Sequence, residues 1–299
     1  MRITNNVLAR SLLYNLNNAQ QTMYKLENQL SSGLKITKPS DNPVAMENAL
    51  RYKSTIAHVN QWKANAAEGL AYLETADDTM ATISDVLKRA KELALQGANG
   101  SVNEKDREKI AIEIGQLKEQ LMELANTRVG NKYIFAGTKN VEPYPKGGNT
   151  WLGSDDIMKF PVGSALSLEI SVNGRGLFGV TEEADGTTKV EMFQVLEDLK
   201  LALENSDEGA LQQSLAAIDA QLDKVLDYRA QVGAKQNRME AIHQQLDDTA
   251  ANLSEFLAET LYADVAEVLV KFKTQENVYN AALAVGAQII QPSLVDFMR

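Results

Sequence analysis

The chain has 299 residues, of which 44% are hydrophobic and 23% charged, and a formal net charge of -10. That length accommodates one large domain or two to three modest ones, each with its own core, and the acidic balance argues against a nucleic-acid binder, which must neutralise phosphates. The absence of cysteine excludes disulfides, thiolate metal sites and cysteine nucleophiles.

The chain opens on Met1-Arg2-Ile3-Thr4-Asn5-Asn6, without the basic start, apolar run and small-residue cleavage site of a secretory signal peptide. A heptad seam comes next: Leu12, Leu16, Ala19, Met23, Leu26 and Leu30 alternate spacings of four and three, with polar residues, many of them Asn and Gln, between them. Prolines stand only at 39, 43, 143, 145, 161 and 292. They leave two long tracts, 44–142 and 162–291, in which helices can run unbroken. A helix is expected to start near Pro43 and to carry Ile56, Val59, Leu70, Leu73, Met80, Ile83 and Leu87. Gly97-Ala98-Asn99-Gly100 separates it from a second helix bearing Ile110, Ile114, Leu117, Leu121 and Leu124.

Ten of the 18 glycines fall between Gly130 and Gly186. Within that window Leu166, Leu168, Ile170 and Val172 alternate with Ala165, Ser167, Glu169 and Ser171, the period of a half-buried strand. Turn signals at 145–148 and at Asp185-Gly186 flank it. Residues 138–190 therefore read as a small β-rich insertion. Helical periodicity resumes with Met239, Ile242, Leu246 and Leu253. A second seam closes the chain: Leu261, Val265, Val268, Phe272, Gln275, Tyr279, Ala282, Gly286 and Ile289, widened by Leu269, Leu283 and Ile290. The most apolar stretch, Ala281 to Ile290, is far shorter than the roughly 20 residues that span a bilayer, so no membrane segment is expected.

These elements predict a mainly α fold: a discontinuous antiparallel helical bundle or coiled coil built from both ends of the chain, with a small β-rich inserted domain. The boundaries expected are 1–45 and 255–299 for the terminal helices, 46–137 and 191–254 for the bundle, and 138–190 for the insertion. Two terminal seams suggest that the ends meet, although amphipathic helices lying on the main core would show the same periodicity. Residues 1–40 carry a balance of +4 and 255–299 of -3, which permits pairing worth about 0.2 to 1 kcal/mol per exposed pair. A lone two-helix seam buries each Leu on one side only and so recovers part of the roughly 1.5 to 3 kcal/mol available per side chain. Ordering each residue costs about 1 to 2 kcal/mol of backbone entropy. The ends are therefore expected to order fully only when neighbouring copies cover the remaining apolar surface.

Chemistry finds little purchase in the sequence. Gly174-Arg175-Gly176-Leu177-Phe178-Gly179 fits G-x-G-x-x-G, but the segment after Gly179 is too short and polar for the helix that must hold a pyrophosphate, and a glycine-rich β-turn is expected instead. His58 and His243 stand outside any metal-ligand spacing. Asp77-Asp78, Asp155-Asp156 and Asp247-Asp248 are adjacent pairs whose side chains diverge, expected to be solvated or capping. Asp264 and Glu267, one turn apart, read as solvated or interhelical partners. Trp62 and Trp151 are too isolated for a stacking platform, and Met23, Met80, Met122 and Met239 lie on or near apolar stripes as gap-fillers. No catalytic, cofactor or metal residue is expected, although a soluble enzyme on a helical scaffold stands as a rival class.

Several segments resemble the flagellin superfamily. Asn28-Gln29-Leu30-Ser31-Ser32-Gly33-Leu34-Lys35-Ile36-Thr37-Lys38-Pro39-Ser40-Asp41-Asn42-Pro43 is similar to the segment after the first helix in that family. Gly233-Ala234-Lys235-Gln236-Asn237-Arg238, Asn252-Leu253-Ser254 and Asp264-Val265-Ala266-Glu267 resemble its C-terminal elements. The resemblance covers about 1–137 and 190–299. Within the superfamily, Lys38 to Ala45, Tyr133-Ile134-Phe135-Ala136-Gly137-Thr138 and the ending Ser293 to Arg299 favour the hook–filament junction proteins over filament flagellins, which remain the alternative. The resemblance implies an extracellular structural component of the flagellum, exported through the type III channel without a cleaved signal. It implies self-association in a ring, contact with a neighbouring hook-associated protein and with flagellin, an export chaperone, and no nucleic-acid or membrane partner. The seam residues Leu12, Leu16, Met23, Leu26, Leu30, Leu261, Val265, Val268, Phe272, Tyr279 and Ile289 would form the assembly interface.

Overall fold

The computed structural model describes residues 5–99, 103–145, 150–182 and 188–290. Most of these residues are helical: α1 (Asn5–Ser32), α2 (Pro43–Gly97), α3 (Glu104–Ala125), α4 (Gly174–Phe178), α5 (Glu191–Glu204), α6 (Glu208–Leu261) and α7 (Val265–Ile290). Among the described residues six short strands form three antiparallel pairs: β1 (Arg128–Val129) with β2 (Lys132–Tyr133), β3 (Lys159–Pro161) with β4 (Ser167–Glu169), and β5 (Val180–Glu182) with β6 (Thr188–Val190). The fold is mainly α, with both ends of the chain contributing to one helical unit and small β pairs confined to the middle. Two compact units result, one of Met1–His58 with Thr249–Arg299 and one of Val59–Asp248.

The Val59–Asp248 unit is organised by long helices without internal proline. Its α6 buries Leu211, Ile218, Val225, Val232, Met239 and Leu246, a strict seven-residue step of the kind that makes coiled-coil seams. Residues Leu73, Ala76, Met80, Ile83, Leu87 and Ala90 of α2 are buried as well. The two helices run antiparallel, as cross-helix ion pairs record: Asp77 takes a forked hydrogen bond from Arg229 at 2.9 and 3.1 Å, Lys91 reaches Asp219, and Lys63 reaches Asp247. Helix α3 begins at Asn103, whose side chain accepts the Asp106 N–H. It buries Ile110, Ile114 and Leu121 and packs against α5.

The middle segment is anchored by four aromatic rings. Tyr144, Phe135, Phe178 and Phe193 are buried with ring centroids 4.9 to 5.7 Å apart, several edge to face. The Tyr144 hydroxyl donates to the Gly174 carbonyl at 2.9 Å and the Tyr72 hydroxyl to the Ile134 carbonyl at 2.7 Å. Burial pushes both phenols above their ordinary pKa. The Asn126 amide brackets Tyr144, donating to its carbonyl at 2.6 Å and accepting its N–H at 3.0 Å.

Two expectations for this segment need correction in detail. The alternation from Leu166 to Val172 becomes a strand only at Ser167–Glu169, and Leu166 is exposed, because β3 supplies just three partner residues. The glycine motif at 174–179 is not a β-turn. It forms the single helical turn α4, capped by Asn173 and closed by Gly179 at φ 68. That turn buries Leu177 and Phe178, and Gly174 packs against the Phe135 carbonyl where no side chain fits. The turn signals at Gly147-Gly148 and Asp185-Gly186 lie outside the described residues.

Candidate assembly interface

The unit made from the chain ends centres on the pairing of α1 with α7. Leu12, Leu16, Met23, Leu26 and Leu30 are half-buried and Ala19 is buried, so the predicted α1 seam is the face that α1 withdraws from solvent. On the partner side Val268 and Gly286 are buried, and Phe272, Gln275, Tyr279 and Ala282 are half-buried. Leu12 reaches Gly286, where an added Cβ would stand 2.6 Å from a Leu12 methyl. The Ile289 side chain lies outside the described residues, as does the ending Ser293 to Arg299.

The C-terminal stripe is not one helix. It breaks at Tyr262–Asp264, placing Leu261 at the end of α6 and Val265 at the start of α7. Leu261 is buried, with Ile36 and Ala49, in a small cluster completed by Leu34, Ala45, Met46 and Leu257. Val265 is 53% exposed and does not join the seam. The cause of the break is the turn after α1. Gly33, at φ 68, ends α1, and Leu34 forms an antiparallel bridge with Tyr262. Lys35 donates to the Leu261 carbonyl at 2.6 Å and Ala263 to the Gly33 carbonyl at 2.9 Å. Asp264 is exposed, as the solvated reading of the sequence expects, and also caps α7 by accepting the Ala266 and Glu267 N–H groups, a role the spacing does not indicate.

A second cap fixes the other side of the turn. The Asp41 carboxylate accepts the Thr37 N–H and hydroxyl and the Lys38 N–H, and faces Lys25 of α1 at 3.4 Å. The Lys38 N–H, followed by Thr37 and Lys25, holds its pKa below the ordinary carboxylate value. Asn42 caps α2 through the Ala45 N–H at 3.1 Å. Among the described residues no ion pair joins α1 to α7. The charges of α7 pair along their own helix instead, Lys271 with Glu267 and Lys273 with Glu276, because residues three and four apart are neighbours.

The α1–α7 pair leaves much apolar surface uncovered. Val7, Leu13, Tyr14 and Tyr24 on α1 and Leu269, Val270, Val278, Leu283 and Val285 on α7 are exposed. Most of these residues lie off the heptad seam, where periodicity does not single them out. The available signal was composition: from Asn277 to Ile290 no residue is charged, which a helix with one solvated face ordinarily avoids.

The other candidate residues have structural partners. Asp155 holds Arg175 at 2.9 Å, Asp156 accepts from Ser154 at 2.6 Å, and Asp247 faces Lys63 and His243. Asp155 and Asp156 are exposed and Asp247 half-exposed, in keeping with the solvated role expected from sequence, and all three also anchor ion pairs or a turn. Met80 and Met239 are fully buried. Arg175 lies over the Trp151 ring at 5.7 Å. Among the described residues no group of three or more His, Asp or Glu side chains is placed to hold a metal ion, and no helix is long and apolar enough to cross a membrane.

Known proteins share both terminal regions. Residues 3–140 match the bacterial flagellin N-terminal helical region and residues 215–298 the bacterial flagellin C-terminal helical region. The chain is 24% identical to flagellar hook-associated protein 3 of Escherichia coli strain K12, over 94% of this chain and 95% of that protein. It is 26% identical to flagellin of Bacillus subtilis strain 168, over 97% of each. Among solved structures, FlgL of Bacillus cereus shares the fold with a TM-score of 0.60 and 23% identity, covering 70% of this chain and 99% of that one. The flagellar junction protein FlgL of Legionella pneumophila does so with a TM-score of 0.59 and 16% identity, covering 72% and 100%. With both helical regions matched in chain order around a middle segment that neither covers, the chain belongs to the bacterial flagellin family.

Proposed function

We propose that this chain is a structural component of the flagellum that joins hook to filament and works by assembly, without catalysis. The observation that carries the reading is the uncovered apolar surface of the α1–α7 pair, with Leu13 62%, Tyr14 69% and Val270 67% exposed. Such surface on a paired helical unit is covered in the working state, and a chain with two different exposed faces associates head to tail into a ring or a helix. The terminal regions 1–45 and 255–299 would polymerise. Hook-associated proteins and flagellin would be its axial neighbours, and an export chaperone would cover the same apolar residues before assembly. Export outside the cell without a cleaved signal belongs to the same reading. Placement at the junction rests on the hook-associated relatives, whose match covers nearly the whole of both chains.

Filament flagellin is the second reading, since identity to a flagellin is as high as to hook-associated protein 3. Deleting the gene separates the two. The junction reading requires intact hooks, no filaments and flagellin shed into the medium; a labelled copy restored to that strain should appear at the hook tip. Label along the whole filament would establish the flagellin reading, and normal filaments in the deletion strain would refute both.

A further inference from the structure

Two contacts fix the level of α1 against α7. At one end Leu34 bridges Tyr262, and at the other Leu12 lies on Gly286. The helical parts of the intervening stretches, 12–32 and 265–286, are of nearly equal length and rise at the same rate per residue, so the helices run antiparallel and in step. Counting inward from Leu12 and Gly286 sets the seam residues at shared levels: Leu16 with Ala282, Ala19 with Tyr279, Met23 with Gln275, Leu26 with Phe272, and Leu30 with Val268. At three of the six levels a large side chain meets Gly or Ala. The small partner changes sides, lying on α7 at Gly286 and Ala282 and on α1 at Ala19.

We infer that this alternation of large and small residues, together with the Leu34–Tyr262 bridge, is a register lock that selects one alignment of α1 on α7. Hydrophobicity cannot make that selection, because a seven-residue slip keeps both apolar stripes face to face. Size can. A slip in one direction sets Leu12 against Tyr279 and Leu16 against Gln275. A slip in the other sets Ala19 against Gly286, leaving a void, and Leu26 against Tyr279. Crowded and hollow levels are both destabilising. The bridge adds a stop, since slippage breaks the Lys35-to-Leu261 and Ala263-to-Gly33 hydrogen bonds. Register in turn determines where Leu13, Tyr14 and Tyr24 stand relative to Val270, Val278 and Val285, and hence the surface offered to the next copy. That last consequence rests on the assembly reading above.

The absence of native cysteine makes the register directly readable in the full-length chain. Leu16→Cys with Ala282→Cys reports the proposed register, and Met23→Cys with Ala282→Cys reports the slipped one, each joined by a short bismaleimide. The first pair should cross-link about tenfold faster than the second. Adding Gly286→Leu should reduce the first cross-link about fivefold or more, and adding Leu12→Ala to that chain, which exchanges large and small at one level, should restore it. If circular dichroism shows that Gly286→Leu unfolds α7, Ala19→Leu with and without Tyr279→Ala gives the same comparison. Equal rates for the two pairs, or a loss that the exchange does not reverse, overturns the lock. Cross-linking reads register whether or not the chain enters a flagellum. A correctly registered chain that never assembles would therefore defeat the assembly reading and leave the lock standing.

Discussion

Val268 and Val270 stand two residues apart on α7 and should respond oppositely to the same change. Val268 is 7% exposed and Val270 67%. Val268→Asp removes a buried side chain worth about 1.5 kcal/mol and puts a carboxylate where it finds no water, for about 1 to 3 kcal/mol more. The sum, about 2.5 to 4.5 kcal/mol, falls on the isolated chain and should appear as lost helicity or a lower melting transition. Val270→Asp removes little from the monomer, within about 0.5 kcal/mol for a surface site. If another copy covers Val270, the same desolvation falls on association instead, and about 3 kcal/mol corresponds to roughly a 100-fold weaker self-association. Thermal melts followed by circular dichroism measure the first quantity, and sedimentation over a concentration series measures the second. Val270→Asp self-associating as strongly as the wild type, or destabilising the monomer as much as Val268→Asp, would refute the assignment of that face to assembly.

Gly115→Ala should stabilise the chain by about 0.5 to 1 kcal/mol, since it lies inside α3 with nothing within 4 Å of an added Cβ; Gly97→Ala, whose Cβ would meet Leu203, should not, and equal melting shifts would contradict this. Acid should weaken the contact of Lys118 with Glu197, 2.8 Å apart, where the lysine holds the carboxylate below its ordinary pKa. A depressed folded value contributes stability above the unfolded value of about 4.3 and loses it as pH falls through the folded one. The melting difference between wild type and Lys118→Met should thus shrink below about pH 4, and a difference that stays constant to lower pH would refute the pairing.

Much of the α1–α7 pairing was legible in the sequence because a helix that buries one face advertises it at a period of three and four. Leu12 through Leu30 and Val268 through Gly286 needed no partner in view to be recognised as seams. The α2 start at Pro43 and the stop near Gly97 were equally local, since they depend on backbone geometry at single residues. The exposed residues Val270, Val278 and Val285 were harder, because periodicity reports the face that is buried within the chain and says nothing about one reserved for another copy.

By itself the sequence determined which segments are helices, which stripes they bury, and that glycine and proline confine strands to the middle, all consequences of propensity and spacing along the chain. Only the tertiary structure decided that the last stripe is two helices, that Asp264 is a cap, and that Leu34 bridges Tyr262. It also decided that Phe135, Tyr144, Phe178 and Phe193 share one cluster. Most of these depend on a partner far away in the chain, and a backbone hydrogen bond or a ring contact at that separation leaves no periodic trace in either segment.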